Sequence, residues 1–246
     1  ENVDRLLKSP SDQRGRDFAV MLACLRDLGY LVEWRVINAA EYGFAQRRRR
    51  VFIVGYHKQN KNIHKAIKRN EGIEWINKDG VLAKSFKIEP NSPKIPFDLD
   101  MDIKDISDNF GKGLSKSPFF NTGILIGSSV YTYKSDPVKK DSITLGEILE
   151  PKSVTPEFYI DDKDLDKWKK LKGPNSVQRE KDGFKYNYSM GGIGYDDLDK
   201  PSRTIITGEG GKSPSRFKHI IEYEKGKFRR LTPVELEKLN GFPKDW

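Results

Sequence analysis

The sequence predicts part of an α/β domain followed by a loop-rich, mostly β region, on three observations. Apolar residues at helical spacing give way to two short strand-like runs within positions 1–57. Gly, Pro, Asn and Ser breakers then interrupt the chain from about His57 to Lys227. Helical periodicity returns only beyond Arg229.

Residues Asp17–Leu28 place Phe18, Met21, Leu22, Leu25 and Leu28 at helical spacing, and Gly29 suits the C-terminal stop. Leu31–Asn38 (LVEWRVIN) alternates as a strand, and Val51–Tyr56 (VFIVGY) is a short strand rich in β-branched residues. The segment between them, AAEYGFAQRRRR, is a loop. Helix, strand, loop, strand is a piece of an α/β domain, too small to close a sheet by itself. Further along, Gly123–Tyr133 and Arg203–Thr207 read as short strands, and Leu165–Leu171 is the one candidate for a longer helix. In the last stretch Thr232 suits an N-cap, Pro233 the first helical position, Glu235 the third, and Gly241 the end. The expected divisions are 1–57, 58–228 with an insert at 109–137, and 229–246. The insert's aromatic and glycine residues are expected to pack on the domain, with contact to DNA as the alternative.

The 246 residues, 36% of them hydrophobic, can bury a sizeable core. No apolar run approaches the ~20 residues that cross a bilayer, and mean hydropathy is −0.71. A single cysteine, Cys24, cannot form an internal disulfide, and no Cys/His cluster has zinc spacing. Cys24 falls within the first helix and is expected to be a packed core residue. There is no signal-peptide pattern, so a cytoplasmic location is expected.

The net charge of +9 is unevenly spread. Between Gln46 and Asn70 stand nine basic residues and no acidic one: the run Arg47–Arg50, then Lys58, Lys61, Lys65, Lys68 and Arg69. A second bias, seven basic against three acidic, runs from Gly208 to Arg230. Such localised charge suits a polyanion, and a solvated basic face is the alternative.

Three local signals add chemistry. Glu1-Asn2-Val3 alone carries little information. The run Gln46–Arg50 feeds directly into an apolar strand, so Arg48 and Arg50 share one face and Arg47 and Arg49 the other. RRLTPVELEKLNGFP (Arg229–Pro243) alone reads as a capped amphipathic helix. Taken in this order, with a helix and strands between, the three resemble the C-terminal half of the bacterial DNA cytosine-5 methyltransferases. The likeness covers Glu1–Tyr56 and Asp199–Trp246, the family's motifs VI, VIII and IX.

The resemblance implies part of a Rossmann-like catalytic domain, then a target-recognition domain, then a helix returning toward the catalytic domain. In the family reaction a thiolate adds to carbon 6 of cytosine and carbon 5 takes a methyl group from S-adenosylmethionine. The resemblance places proton donation at the ring nitrogen N3 on Glu1 and contact with the O2 oxygen on Arg50. It gives Gln46 and Arg48 the ordering of the active-site loop, and Asn2 the orientation of the segment beside the base. The partner is double-stranded DNA, from which the target base is flipped. Asp199–Gly211, with Thr204-Ile205 for the usual Thr-Leu pair, resembles the family's recognition element, and Ser189–Gly194 its companion loop. Gly191, Gly192, Arg203, Thr204, Lys212 and Arg216 are the expected DNA-binding residues, with Lys218 adding charge. No metal site is expected.

The family's cofactor loop and Pro-Cys nucleophile do not occur in this sequence, which opens at Glu1. The chain is therefore expected to be part of a larger enzyme. The main S-adenosylmethionine loop would lie in an N-terminal half, in the same gene or on a second chain, and the 246 residues alone would be inactive. A non-catalytic DNA-binding specificity subunit, or a degenerate homologue, is the rival reading.

Overall fold

The computed structural model describes residues 1–150, 154–181 and 184–243. Residues 151–153 and 182–183 of the expected middle region, and 244–246 of the expected last one, lie outside the described residues. The chain divides into two compact units. The first comprises Glu1–Tyr42 and Arg49–Lys140, the second Gly43–Arg48 and Asp141–Trp246.

The first unit runs β1 (Asn2–Val3), a 3-10 turn (Asp4–Lys8), α1 (Arg16–Asp27), β2 (Tyr30–Asn38), β3 (Arg49–His57), α2 (Lys61–Lys68), α3 (Val81–Ser85) and β4 (Ile88–Pro90). It continues through β5 (Ile95–Asp98), α4 (Ile103–Asn109), β6 (Thr122–Ile126), β7 (Ser129–Tyr133) and β8 (Ser135–Pro137). Six strands form one sheet in the order β1-β3-β2-β6-β7-β5. Every pairing in it is antiparallel. The expected helix and both expected strands form within a residue or two of their predicted ends, and Gly29 closes α1 at φ 85°.

The division of the chain differs from the one expected at residue 57. Val32–Arg35 of β2 pair with Thr122–Leu125 of β6, so residues 95–133 extend the first sheet instead of opening a separate region. The run expected as one strand, Gly123–Tyr133, is a hairpin that turns at Gly127 with φ 61°. The 109–137 insert packs as expected. Phe119 is buried edge-on against Phe18, with ring centroids 4.9 Å apart, and Trp34 covers Gly123. A Cβ at Gly123 would lie 2.2 Å from the Trp34 ring, so only glycine fits there. The helices α2 and α4 in this region were not anticipated.

Both faces of the sheet are covered. Phe18, Ala19, Leu22 and Ala23 of α1 pack on Val32, Trp34 and Val51, while Ile67 and Ile76 pack on Leu31 and Tyr56 from the other side. The alternation of β2 therefore does not leave one face wet. Glu33 and Arg35 are each 1% exposed. Tyr56 donates to Glu33 Oε1 at 2.6 Å, and burial raises the carboxyl's pKa against that bond. The Arg35 guanidinium donates to the carbonyls of Ile76, Leu82 and Phe86, which gives the buried charge its partners.

The core side of α1 is narrower than predicted. Met21 and Leu28 are exposed, and Cys24 is exposed too, contrary to its expected place in the core. The buried stripe is 18, 19, 22 and 23, in which two alanines permit close approach to the sheet.

The second unit contains α5 (Leu145–Ile148), α6 (Asp162–Lys172), β9 (Asn175–Lys181), β10 (Phe184–Met190), β11 (Ile220–Glu224), β12 (Lys227–Arg230) and α7 (Pro233–Leu239). Its strands form two hairpins, β9–β10 and β11–β12, so it holds as much helix as strand, with long loops between. The helix expected near Leu165–Leu171 is α6. Arg203–Thr207 is not a strand, for a reason given below. At α7 the predicted cap is present: Thr232 and Glu235 form a reciprocal capping box, Pro233 opens the helix, and Gly241 follows it at φ 81°. Among the described residues no helix is long and apolar enough to cross a membrane.

Candidate active site and recognition elements

Two clusters hold the residues singled out by the sequence, one in each unit. In the first unit β1 pairs with the start of β3, Asn2 opposite Val51 and Val3 opposite Arg50. Val51 is fully buried, so strand alternation turns Arg50 to the opposite face. The Arg50 Nε lies 4.0 Å from Glu1 Oε1, with side-chain exposures of 19% and 44%. Arg50 Nη1 also donates to the Arg49 carbonyl at 2.8 Å, which steadies the guanidinium. Asn2 spends its side chain locally, Oδ1 accepting from Val3 N at 2.8 Å. Arg49 takes the other side of the strand, with Nε 2.9 Å from Asp4 Oδ2. A carboxyl and a guanidinium 49 positions apart in sequence thus converge on a partly open surface.

In the second unit Gln46 is 2% exposed and joins three segments. Its Nε2 donates to the Leu239 carbonyl at 3.1 Å, at the end of α7, while its Oε1 accepts from Ile205 N at 3.1 Å. Backbone bonds run alongside: Arg47 N to Ser202 O at 2.8 Å and Ser202 N to Ala45 O at 2.7 Å. Thr204 donates its hydroxyl to Arg47 O at 2.8 Å. Residues 202–205 are therefore held by the Gln46 loop and not by a neighbouring strand, which is why no strand forms there. Arg48 follows this anchored stretch and is half-buried.

Three of the expected DNA-facing side chains are committed to the protein. Arg203 grips Asp196 with Nε–Oδ1 at 2.5 Å and Nη2–Oδ2 at 2.9 Å. Burial works against the charged Asp196 carboxyl, but the Arg203 bonds, the neighbouring His219 and the Ile220 amide outweigh it and hold its pKa down. Arg216 donates to the Gly173 carbonyl at 2.9 Å and to Gly191 O. Thr204 is occupied as described. Gly191 and Gly192 are exposed, and a Cβ on Gly191 would meet nothing within 4 Å. Lys212 is exposed and pairs with Glu157 at 3.0 Å.

Sequence reading missed the buried polar groups behind this loop. His219 is fully buried, its Nε2 2.8 Å from Ser202 Oγ and its Nδ1 3.0 Å from Glu209 Oε2. The order Ser–His–Glu matches a hydrolase relay, but Ser202 is 2% exposed and gives its hydroxyl proton to Arg203 O at 2.9 Å. It is scaffold. Lys172, at the end of α6, is buried as well. Its carbonyl accepts from Ile193 and Gly194 at 2.8 and 3.3 Å, and its ammonium donates to Lys218 O. Desolvation, with repulsion from Arg203, lowers its pKa to about 8. Lone charged residues in a polar region gave no sequence signal for these roles.

A family model described as C-5 cytosine-specific DNA methylase matches residues 1–246. The chain belongs to that family. It is 47% identical to the type II methyltransferase M.Sau3AI of Staphylococcus aureus over 251 residues, covering all of this chain and 58% of the relative. Shorter stretches match M.NlaIV of Neisseria lactamica, 41% identical over 59 residues, or 22% of this chain and 14% of that protein. M.MthTI of Methanothermobacter thermautotrophicus is 50% identical over 40 residues, 16% and 12% of the two chains. No solved structure matches the chain. Methylases of this family use S-adenosylmethionine, and the one glycine-rich loop singled out among the described residues does not fit it. The glycine-rich loop 191–194 follows a strand hairpin, opens no helix, and spends the amides of Ile193 and Gly194 on Lys172.

Proposed function

We propose that the chain carries the base-holding and DNA-reading parts of a DNA (cytosine-5) methyltransferase of a restriction-modification system. The observation that carries this reading is the Glu1–Arg50 pair, set by the β1–β3 register. A cytosine turned out of the duplex presents N3 and O2 on adjacent ring atoms, and the two side chains offer a matched acid and cation to that edge. As a thiolate adds to carbon 6, negative charge gathers on N3 and O2. Glu1 in its protonated form gives N3 a proton, and the Arg50 guanidinium stabilises charge on O2. When bound, S-adenosylmethionine would supply the methyl group to carbon 5 and leave as S-adenosylhomocysteine, and loss of the carbon-5 proton would then expel the thiolate and restore the ring.

The thiolate is not assigned to this chain, because Cys24 lies on α1 with no preceding proline. The methyl donor is likewise held by residues outside the set described. The 246 residues alone are expected to transfer no methyl group. In the second unit the proposed DNA-facing positions are Gly191, Gly192 and Lys212, while Arg203, Thr204 and Arg216 hold the loop that presents them. A module that only read DNA would have no use for the Glu1–Arg50 pair.

Glu1→Gln in the full-length protein is the test. The amide keeps a hydrogen bond to the base but supplies no proton, so single-turnover methylation is expected to fall about 10²–10⁴-fold with DNA affinity nearly unchanged. Equal losses in rate and binding would make Glu1 a structural residue and overturn the reading.

A further inference from the structure

A hollow of about 630 Å³ opens in the first unit, lined from the Asp4–Lys8 turn, Arg14, β2, the start of β3, residues 115–121 and residues 134–136. Ligand pockets span roughly 300–1,000 Å³, so this one holds more than a single ion. Its charge is strongly positive: Lys8, Arg14, Arg49, Lys116 and Lys134 against Asp4 and Asp136. Asp4 is used by Arg49 at 2.9 Å, and Asp136 accepts from Asn91. Lys134 sits 5.8 Å from the Phe120 ring centroid. Lys8, Arg14 and Lys116 have no ion pair or side-chain hydrogen bond among the described residues.

The remaining wall is apolar or already bonded. Leu7, Val36, Phe119 and Phe120 line it, and Phe120 is only half-buried. Ser117 donates to Leu7 O. Asn121 donates to Ser135 O at 2.7 Å and accepts from Ser135 N at 3.1 Å. Little directional polarity is left to read a base edge, whereas unpaired cations remain.

We infer that this hollow seats two or three consecutive phosphates of a nucleic-acid strand, with the Phe120 side against sugar and base. Three unpaired cations exceed the single charge of one phosphodiester. Their number, and the apolar wall that shares the hollow with them, suit a strand better than an isolated anion. Binding here is independent of sequence, since phosphate contacts position a protein without reading bases. The inference rests on the reading that the protein acts on DNA. The same phosphate-ester chemistry is offered by a free nucleotide, so the test separates the two.

Duplex binding by the full-length protein is measured across a salt series for the wild type and for the combined Lys8→Gln, Arg14→Gln, Lys116→Gln variant. These side chains bond to nothing among the described residues, so the variant is expected to melt as the wild type does. The slope of log affinity against log salt is expected to flatten by roughly 0.9 for each phosphate no longer neutralised. Site preference is expected to stay the same. Photocrosslinking from a substituted strand should map to the peptide containing Phe119 and Phe120 and disappear in the variant. An unchanged slope with intact duplex binding overturns this site alone. So does loss of ATP binding in the variant without any change in slope, since that outcome assigns the hollow to a free nucleotide. A wild type that binds no duplex overturns the proposed function as well.

Discussion

Arg229 and Glu235 form a buried two-pronged pair, Nη1–Oε2 at 2.8 Å and Nη2–Oε1 at 2.7 Å, with side-chain exposures of 6% and 0%. Glu235 is also the capping residue of α7. Its Oε2 accepts from Thr232 N at 2.9 Å and its Oε1 from Glu150 N at 2.9 Å. One carboxylate therefore joins the last strand, the last helix and the stretch after α5. Burial penalises its charge, but Arg229 and the two amides outweigh that and hold its pKa below the usual carboxylate range.

Glu235→Gln is expected to destabilise the protein by about 3–5 kcal/mol, because it strands the Arg229 charge in the interior. The pH dependence follows from the sign of the shift. The unfolded carboxyl holds its proton more tightly, so the contribution is complete above the unfolded value of 4.5 and is lost as pH falls through the lower folded value. Urea unfolding of wild type and variant at neutral pH and at pH well below 4.5 checks both points. A gap between them that does not narrow in acid would contradict the assignment.

Arg203 is expected to behave as a structural residue. Its partner Asp196 is 3% exposed in the side chain, and Arg203→Ala leaves that carboxylate buried without its guanidinium. A loss of about 3–5 kcal/mol is expected. Adding Asp196→Asn should recover part of it, the pattern of a coupled pair in a double-mutant cycle. If Arg203→Ala were instead stable and relaxed discrimination at one base pair, the side chain would be reading DNA.

What could be read beforehand was what is local. Thr232, Pro233, Glu235 and Gly241 lie within one helical turn of each helix end, and their chemistry acts over that distance. The range of α1 was readable for the same reason. Which face it buries was not, because bulky Met21 and Leu28 drew the stripe too wide while Ala19 and Ala23 made the actual contact. Arg203–Thr207 looked like a strand by its β-branched residues, yet its amide and hydroxyl partners, Gln46 and Arg47, stand more than 150 positions away. Asp196 with Arg203, His219 with Glu209, and Glu33 with Tyr56 are likewise visible only once the chain is folded. Glu1 and Arg50 were brought together beforehand by family resemblance, since no periodicity links them.

Lys172 gives an alkaline signature. Its folded pKa is lowered from 10.5 to about 8, so above about 8 the folded state has released a proton that the unfolded state keeps up to 10.5. Stability therefore rises with pH across that window and sits at its lower level once pH has dropped below about 8. At 1.36 kcal/mol per pKa unit the effect is on the order of 3 kcal/mol. Unfolding free energies measured through the window should show that rise in the wild type relative to Lys172→Met. Parallel curves would place the ammonium in water.

The last expectation concerns α2. Lys61, Lys65 and Lys68 stand at i, i+4 and i+7 on one side of the helix, with Lys58 just before it, and all four are exposed. None makes an ion pair among the described residues, so nothing described in the fold uses their charge. Changing the four to Gln should leave thermal stability nearly unaltered, since surface substitutions of this kind stay within about 0.5 kcal/mol. If they meet phosphates, the salt slope of duplex binding flattens by roughly 0.9 for every phosphate left without its lysine, and the preferred site does not change. Combining this variant with the one in the hollow then decides whether the two basic surfaces serve one DNA path. Slope changes that add show that both face DNA at once. An unchanged slope in the α2 variant makes its lysines a solvated face and leaves the Gln46–Asn70 charge excess to the arginines.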